Sequence, residues 1–472
     1  MRAAFFIIAA ALLSGCALKS PPEHTDVVEQ ALPKSTRIPS AWRADPRGGD
    51  VTNDWLKSFN DPLLESIVAE AIANNIDMRV AATMVAIAQQ AAVVIGSRLM
   101  PWVGGQLGAS TTYERDDGSF TSTSAFIGAA WELDVWGRIR AERGAAEANA
   151  QAAALDYAYA RQSLAATTAK LWYLGVETQQ LIALSERAVK IYGDLLTLVQ
   201  LRRNLGKDSD LDVVDVRAKL ESAQSEVERM RELNGDARRA LEVVLGRYPA
   251  AEIEMAAVYP ALPALAGTGV PSSLLERRPD LIAAEREVLV AFRRHEAAQL
   301  ALLPGFSLSL TGGRLGDQVL SVLNLNPWLA SAGIGVSIPI YEGGALRARV
   351  EIANAQQAQA VARYGAVALK AFREVEGSLA NERYLALQLP LDQKALDDRT
   401  EAVRIATIQY KAGRRDLLWV AQLQTVQLAA ESNLIRLRGA QQANRVRLVQ
   451  VLGGSFDAAP PTDTQSLETA RP

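Results

Sequence analysis

From Gly137 to Leu205 the chain runs about 69 residues without a proline. The run is rich in Ala, Gln, Glu, Arg and Leu, and its apolar residues recur near the 3.5 to 3.6 period of a helix. At 1.5 Å per residue such a helix is a rod of roughly 100 Å. A globular domain cannot bury so long an element, so the run reads as coiled coil or helical barrel. A matching run from about Gly343 to Ala412 carries Pro390. Proline removes a helical hydrogen bond and crowds the preceding turn, which predicts a break or kink there. Ser185, at the corresponding place in the first half, predicts none.

The chain repeats itself with an offset near 205 residues. Ala148-Asn149-Ala150-Gln151 recurs as Ala353-Asn354-Ala355-Gln356, and Val244-Leu245-Gly246 as Val451-Leu452-Gly453. Each half orders its elements alike: helix, proline, two strands, very long helix, glycine turn, second helix. The expected organisation is a leader at 1–15, an extended N-terminal segment at 16–60, a first repeat at 61–248, a linker at 249–272, a second repeat at 273–453 and a tail at 454–472. The linker composition is that of a loop, with Pro260, Pro263, Gly267 and Gly269.

Four short segments alternate apolar and polar residues, expected as strands at about 102–114, 124–135, 305–314 and 331–341. Val103, Leu107 and Ala109 share one face; Phe306, Leu308 and Leu310 oppose Ser307, Ser309 and Thr311. Each segment has the length a tilted strand needs to cross hydrocarbon. Trp102, Trp131, Trp136, Trp328 and Tyr341 stand at or near their ends, where an interfacial girdle is expected. Pro101 and Pro304 mark the helix-to-strand transitions. Four strands cannot close a barrel, and an open edge in lipid leaves amides unsatisfied. Three chains supply twelve strands.

The opening, MRAAFFIIAAALLSGCALKS, has a cationic start and an apolar core too short to span a bilayer. Leu13-Ser14-Gly15-Cys16 resembles the lipobox of bacterial lipoproteins, which makes Cys16 the expected lipidation site; Ala17 after it implies onward export to the outer membrane. No later segment offers eighteen consecutive apolar residues, so no spanning helix is expected.

With one Cys, two His and a net charge of −3, the inventory excludes a metal site built on His or Cys and offers no basic stripe for nucleic acid. There is no phosphate-cradling glycine loop and no Ser/His/Asp constellation. No cofactor, metal or enzymatic activity is expected. His295, among Arg293, Arg294 and Glu296, reads as solvated.

The chain resembles the TolC-like outer-membrane factors, specifically the NodT-type lipoproteins of RND efflux pumps. The resemblance is carried by Leu274-Leu275-Glu276-Arg277-Arg278-Pro279-Asp280, by Asp61-Pro62-Leu63-Leu64 with Asn74-Asn75-Ile76-Asp77, by Tyr410-Lys411-Ala412-Gly413 and by Val451-Leu452-Gly453-Gly454. It covers residues 13 to 454. Pro279 and Asp280 suit the first turn of a helix and read as structural. The resemblance implies a homotrimer: a 12-stranded transmembrane β-barrel, four strands per chain, continuous with a long α-helical barrel. It implies an outer-membrane location, a periplasmic adaptor, an inner-membrane RND-type transporter, and passive export of drugs or other small toxic molecules. It also implies a periplasmic gate at the hairpins near Gly206 and Gly413, with Asp212 and Asp215 on one helical face and Tyr410 and Arg415 across the mouth. Trp419 and Gln422 stand where TolC-type chains carry ring aspartates. Glu132 and Asp134 are expected on the barrel lumen wall. The alternatives are a type I protein-secretion duct of the same fold and a lipid-anchored coiled-coil scaffold without a pore.

Overall fold

Helix yields to strand where proline withholds the next hydrogen bond. A proline has no N–H for the carbonyl four residues back. In the computed structural model of the chain, which describes residues 18–51, 53–114, 118–265, 267–316 and 328–455, the two helices before Pro101 and Pro304 end at Ser97 and Leu300, the residues owning those carbonyls. Strands begin at Trp102 and Gly305, immediately after each proline.

The described elements run α1 (His24–Ala31), α2 (Trp55–Ser58), α3 (Pro62–Asn74), α4 (Ile76–Ser97), β1 (Trp102–Glu114), β2 (Gly118–Leu133), α5 (Arg138–Asn204) and α6 (Asp210–Val244). Then follow α7 (Pro271–Arg277), α8 (Pro279–Leu300), β3 (Gly305–Gly316), β4 (Leu329–Ser337), α9 (Ala345–Lys411) and α10 (Leu417–Val451). Element lengths recur across the halves: α4 and α8 have 22 residues, α5 and α9 have 67, α6 and α10 have 35. The expected break at Pro390 is not there, because α9 runs through it. Pro390 and Ala386, whose carbonyl loses its donor, are both exposed, so water can serve the orphaned oxygen. Among the described residues α4 is long and apolar enough on average to cross a membrane. Thr83, Gln89 and Gln90 interrupt its apolar run, which is why counting consecutive apolar residues passes over it.

The chain divides into two units. The first holds the described part of Met1–Arg37 together with Ala82–Asp156 and Asp280–Ala368. Its sheet is antiparallel in the order β1-β2-β3-β4. The register places Leu107 opposite Ala125, Ile127 opposite Gly105 and Gly312, and Leu308 between Trp131 and Ile334. Because side chains alternate with period two, this alignment collects Val103, Leu107, Ile127, Leu308, Leu310 and Ile334 on one face. Gln106, Ser110, Ser122, Ser309, Thr311 and Ser331 lie on the other. Phe126 is an apolar exception on the polar face, and the register sets it opposite Gly313, where a Cβ would come within 2.5 Å of the ring. Arg314 is a charged exception on the apolar face, near the far end of β3.

Also in this unit, α1 packs Val27 against Val288 and Tyr364. Gly365 permits the approach, since a Cβ there would stand 2.2 Å from the carbonyl oxygen of Ala31. Lys19 donates to Glu296 and Gln299, each at 2.6 Å, and His24 meets Glu285 at 2.7 Å. His295 is not solvated as expected: it is half-buried and bonded to Gln357 at 2.8 Å and Gln299 at 3.0 Å.

The second unit (Ile38–Ala81, Tyr157–Pro279 and Leu369–Pro472, within the described residues) is helical. Its core gathers Trp55, Phe59, Leu64, Val68, Trp172 and Leu241. The family-like motifs do structural work here. Asp61 caps α3 through the Leu64 amide at 3.1 Å and accepts the Trp172 indole at 3.0 Å. Asn75 ties the start of α4 to the Val244 carbonyl at 2.9 Å. Arg277 reaches the carbonyls of Val51 and Gly453, and Arg278 pairs with Glu374 at 3.0 Å. The linker is held too. Glu242 accepts the amides of Ala251, Glu252 and Ile253; burial alone would raise its pKa, but the three donors outweigh it and the carboxyl lies below its ordinary value.

Candidate functional site

Two helical hairpin ends, both in the second unit, carry the expected gate residues. In the first, α5 stops at Gly206, whose positive φ of 67° suits glycine and returns the chain toward α6. Ser209 caps α6: its hydroxyl accepts the Asp212 amide at 3.2 Å, while the Asp212 carboxylate takes the Ser209 amide at 2.8 Å and hydroxyl at 2.6 Å. This reciprocal arrangement occupies Asp212 within its own helix start. Asp215 pairs with Lys219 at 2.6 Å.

Tyr410, on the last turn of α9, is buried and donates its hydroxyl to Asp208 at 2.6 Å. Asp208 also holds Arg202 at 3.0 Å, and the Arg202 guanidinium lies 4.4 Å over the Tyr410 ring. These three residues form a closed triangle between the hairpins. Burial, then the Asp208 bond, push the Tyr410 phenol above its ordinary pKa. Within the chain, then, Tyr410 meets Asp208, and Arg415 lies 4.4 Å over the Trp419 ring. Sequence reasoning passed over Arg202 and gave Asp208 no partner. The signal was the pair itself, a cation and an anion flanking a glycine turn that folds one back upon the other.

Glu132 lies on the polar face of β2 and meets Arg138 at 2.5 Å; Arg138 also meets Glu142 at 2.5 Å. Asp134 corrects the expectation of a lumen position. It sits beyond the end of β2 and accepts the amides of Ile139 and Arg140, each at 2.9 Å, so it caps α5. Pro101 and Pro304 stand at the transitions. The Trp131 indole binds the Leu99 carbonyl at 3.0 Å and the Trp136 indole the Pro304 carbonyl at 2.8 Å. Cys16 lies outside the described residues.

The model of outer membrane efflux proteins matches residues 67–247 and 270–454, most of the chain. The chain belongs to the outer membrane efflux protein family. This efflux protein is 27% identical over 467 residues to the pyoverdine export outer membrane protein OpmQ of Pseudomonas putida, covering 95% of this chain and 97% of that one. It is 27% identical to the toluene efflux pump outer membrane protein TtgF of the same species over 94% of this chain and 95% of the relative. Among solved structures, the outer-membrane channel OprN superposes with a TM-score of 0.80 at 24% identity over 90% of this chain and 99% of the other. VceC of Vibrio cholerae superposes at 0.80 with 21% identity over 86% of this chain and 100% of the other. The fold is that of the TolC-like channels, and the protein is an outer membrane efflux protein. The family and these relatives are efflux proteins, not enzymes.

Proposed function

We propose that three copies of this chain close one 12-stranded barrel continuous with a helical tunnel, and that the assembly is the passive exit duct of a tripartite pump. The observation that carries this is the sheet. Its apolar face is exposed, with Leu107, Ile127, Leu310 and Ile334 at 82%, 68%, 58% and 78%. β1 and β4 each have one partner strand among the described residues. Lipid satisfies the face; only further strands satisfy the edges. A lone chain leaves both edges open even in lipid, whereas a closed ring of three leaves none.

The tunnel's periplasmic end closes at the hairpins. Tyr410, Asp208 and Arg202 latch the two turns of each chain, with Asp212, Asp215 and Arg415 around them. An adaptor protein and an RND-type transporter dock there and supply the energy that nothing in this chain can. Cys16 carries acyl chains that anchor the assembly, several chains on one residue giving stable attachment. The cargo is a drug or other small toxic molecule, in keeping with the name of a relative, the outer membrane protein of a toluene efflux pump. The polar face of the sheet, lined by hydroxyls and glycines, would form the barrel lumen with Glu132 at its base.

Native mass spectrometry of detergent-extracted protein, paired with planar-bilayer recording, tests the assembly. Trimers that conduct are expected; a water-soluble monomer with no conductance would end the reading. For the anchor, Cys16→Ser is expected to abolish palmitate labelling. Dye sensitivity after deletion, epistatic with loss of an RND pump, identifies the partner.

A further inference from the structure

We infer that the periplasmic mouth is electropositive and favours anionic solutes, with Lys207, Lys411 and Arg414 as its specificity-determining residues; this rests on the trimeric duct proposed above. The two turns and the windings beside them, residues 202–219 and 410–419, hold eight Lys or Arg against five Asp. The five carboxylates are all engaged. Asp208 is held by Arg202 and Tyr410, Asp210 by Arg203 at 2.6 Å, and Asp215 by Lys219 at 2.6 Å. Asp212 is occupied in its own capping box, and Asp416 caps α10 through the Trp419 amide at 2.9 Å.

The cations are not so matched. Lys207, Lys411 and Arg414 are exposed, and among the described residues none has a carboxylate partner. Arg415 is stacked on Trp419, a ring that brings no counter-charge. Backbone dipoles do not offset the imbalance. Each hairpin sets the negative end of one helix beside the positive end of the next, so the two largely cancel. The side chains therefore decide the sign, and threefold symmetry multiplies the excess at one constriction. Ordinary salt screens such a field within about 8 Å, so it acts on solutes entering the mouth and little beyond it. A carboxylate ring would attract cations; here three of the five acids are ion-paired, two are held as helix caps, and the cations outnumber them. The cargo class that follows is anionic solutes.

The test uses the full-length protein in planar bilayers under asymmetric potassium chloride, with Lys207→Glu/Lys411→Glu/Arg414→Glu beside wild type. The three positions are exposed, so folding is expected to survive, and retained trimers verify it. Wild type should pass chloride more readily than potassium, and the triple reversal should lower that permeability ratio severalfold, through unity. The neutral variant Lys411→Gln/Arg414→Gln should fall between them. Conducting trimers whose ratio the reversal leaves unmoved overturn this inference and leave the duct standing. Monomers without conductance overturn the duct and this inference with it.

Discussion

The two hairpin ends share a backbone and differ in chemistry. At the first, the Gly206 amide reaches the Arg203 carbonyl and the Lys207 amide the Arg202 carbonyl, each at 2.9 Å. At the second, Gly413 reaches Tyr410 and Arg414 reaches Gln409, again each at 2.9 Å. The glycines sit at φ of 67° and 72°. A capping oxygen follows in both: Ser209 accepts the Asp212 amide and Asp416 the Trp419 amide. Side chains at equivalent places diverge. Asp208 corresponds to Arg415, Asp212 to Trp419 and Asp215 to Gln422. A glycine and one cap suffice to make the turn, which leaves neighbouring positions free to carry electrostatics. The first hairpin uses them to bind Tyr410 of the second, and the second to present cations.

Asp208→Ala is the severest challenge to this contrast. It leaves the Arg202 cation, 18% exposed, and the buried Tyr410 hydroxyl without their shared partner. Removing one member of such a pair costs about 3 kcal/mol, so hydrogen-exchange protection at both turns should fall together and bilayer conductance should rise. Protection lost at one turn alone would show that the triangle does not link them.

Tyr410→Phe should cost less, about 1.5 kcal/mol, the value of a bond to a charged acceptor. Its pH dependence follows from the raised phenol pKa. The folded hairpin favours the neutral phenol, so the stabilisation is complete below the unfolded value of 10.0 and is lost as pH rises through the higher folded value. Exchange protection of wild type should therefore converge on that of Tyr410→Phe at strongly alkaline pH. A difference that persists there would remove the phenol from the latch.

Gly206→Ala and Gly413→Ala probe what the two turns have in common. A Cβ at either glycine meets nothing within 4 Å, so the cost is the left-handed backbone alone, about 1 kcal/mol. Equal losses of local stability are expected. Unequal ones would mean the turns differ in backbone strain as well as in side chains. The smallest effect belongs to Trp419→Ala, which removes an exposed ring beneath Arg415 and should cost about 0.5 kcal/mol.

Much of this architecture was legible in residue order. Alternation places β1 and β3 closely, because a period of two has no other ready meaning. β2 begins at Gly118, ahead of the expected 124, since Ser119, Thr121 and Thr123 show no apolar alternation; Thr111 and Thr121 nonetheless pair across the strands at 3.2 Å. β4 ends at Ser337 rather than 341, as Pro339 has no amide for the ladder. Asp134 looked like a strand residue because it follows Glu132 at the same period, yet the chain had already turned into α5.

Most starts, stops and turns were already written in the chain, through prolines, glycines, caps and hydrophobic period, all of which act over a few neighbouring residues. The start of β2 and the passage of α9 through Pro390 were not. Which charges meet was settled later, by folding. Arg202 and Tyr410 lie far apart in the chain, and it is the folded arrangement that brings both to Asp208. Pattern is local, whereas partnership depends on distance in space, and a carboxylate is free or neutralised according to the second.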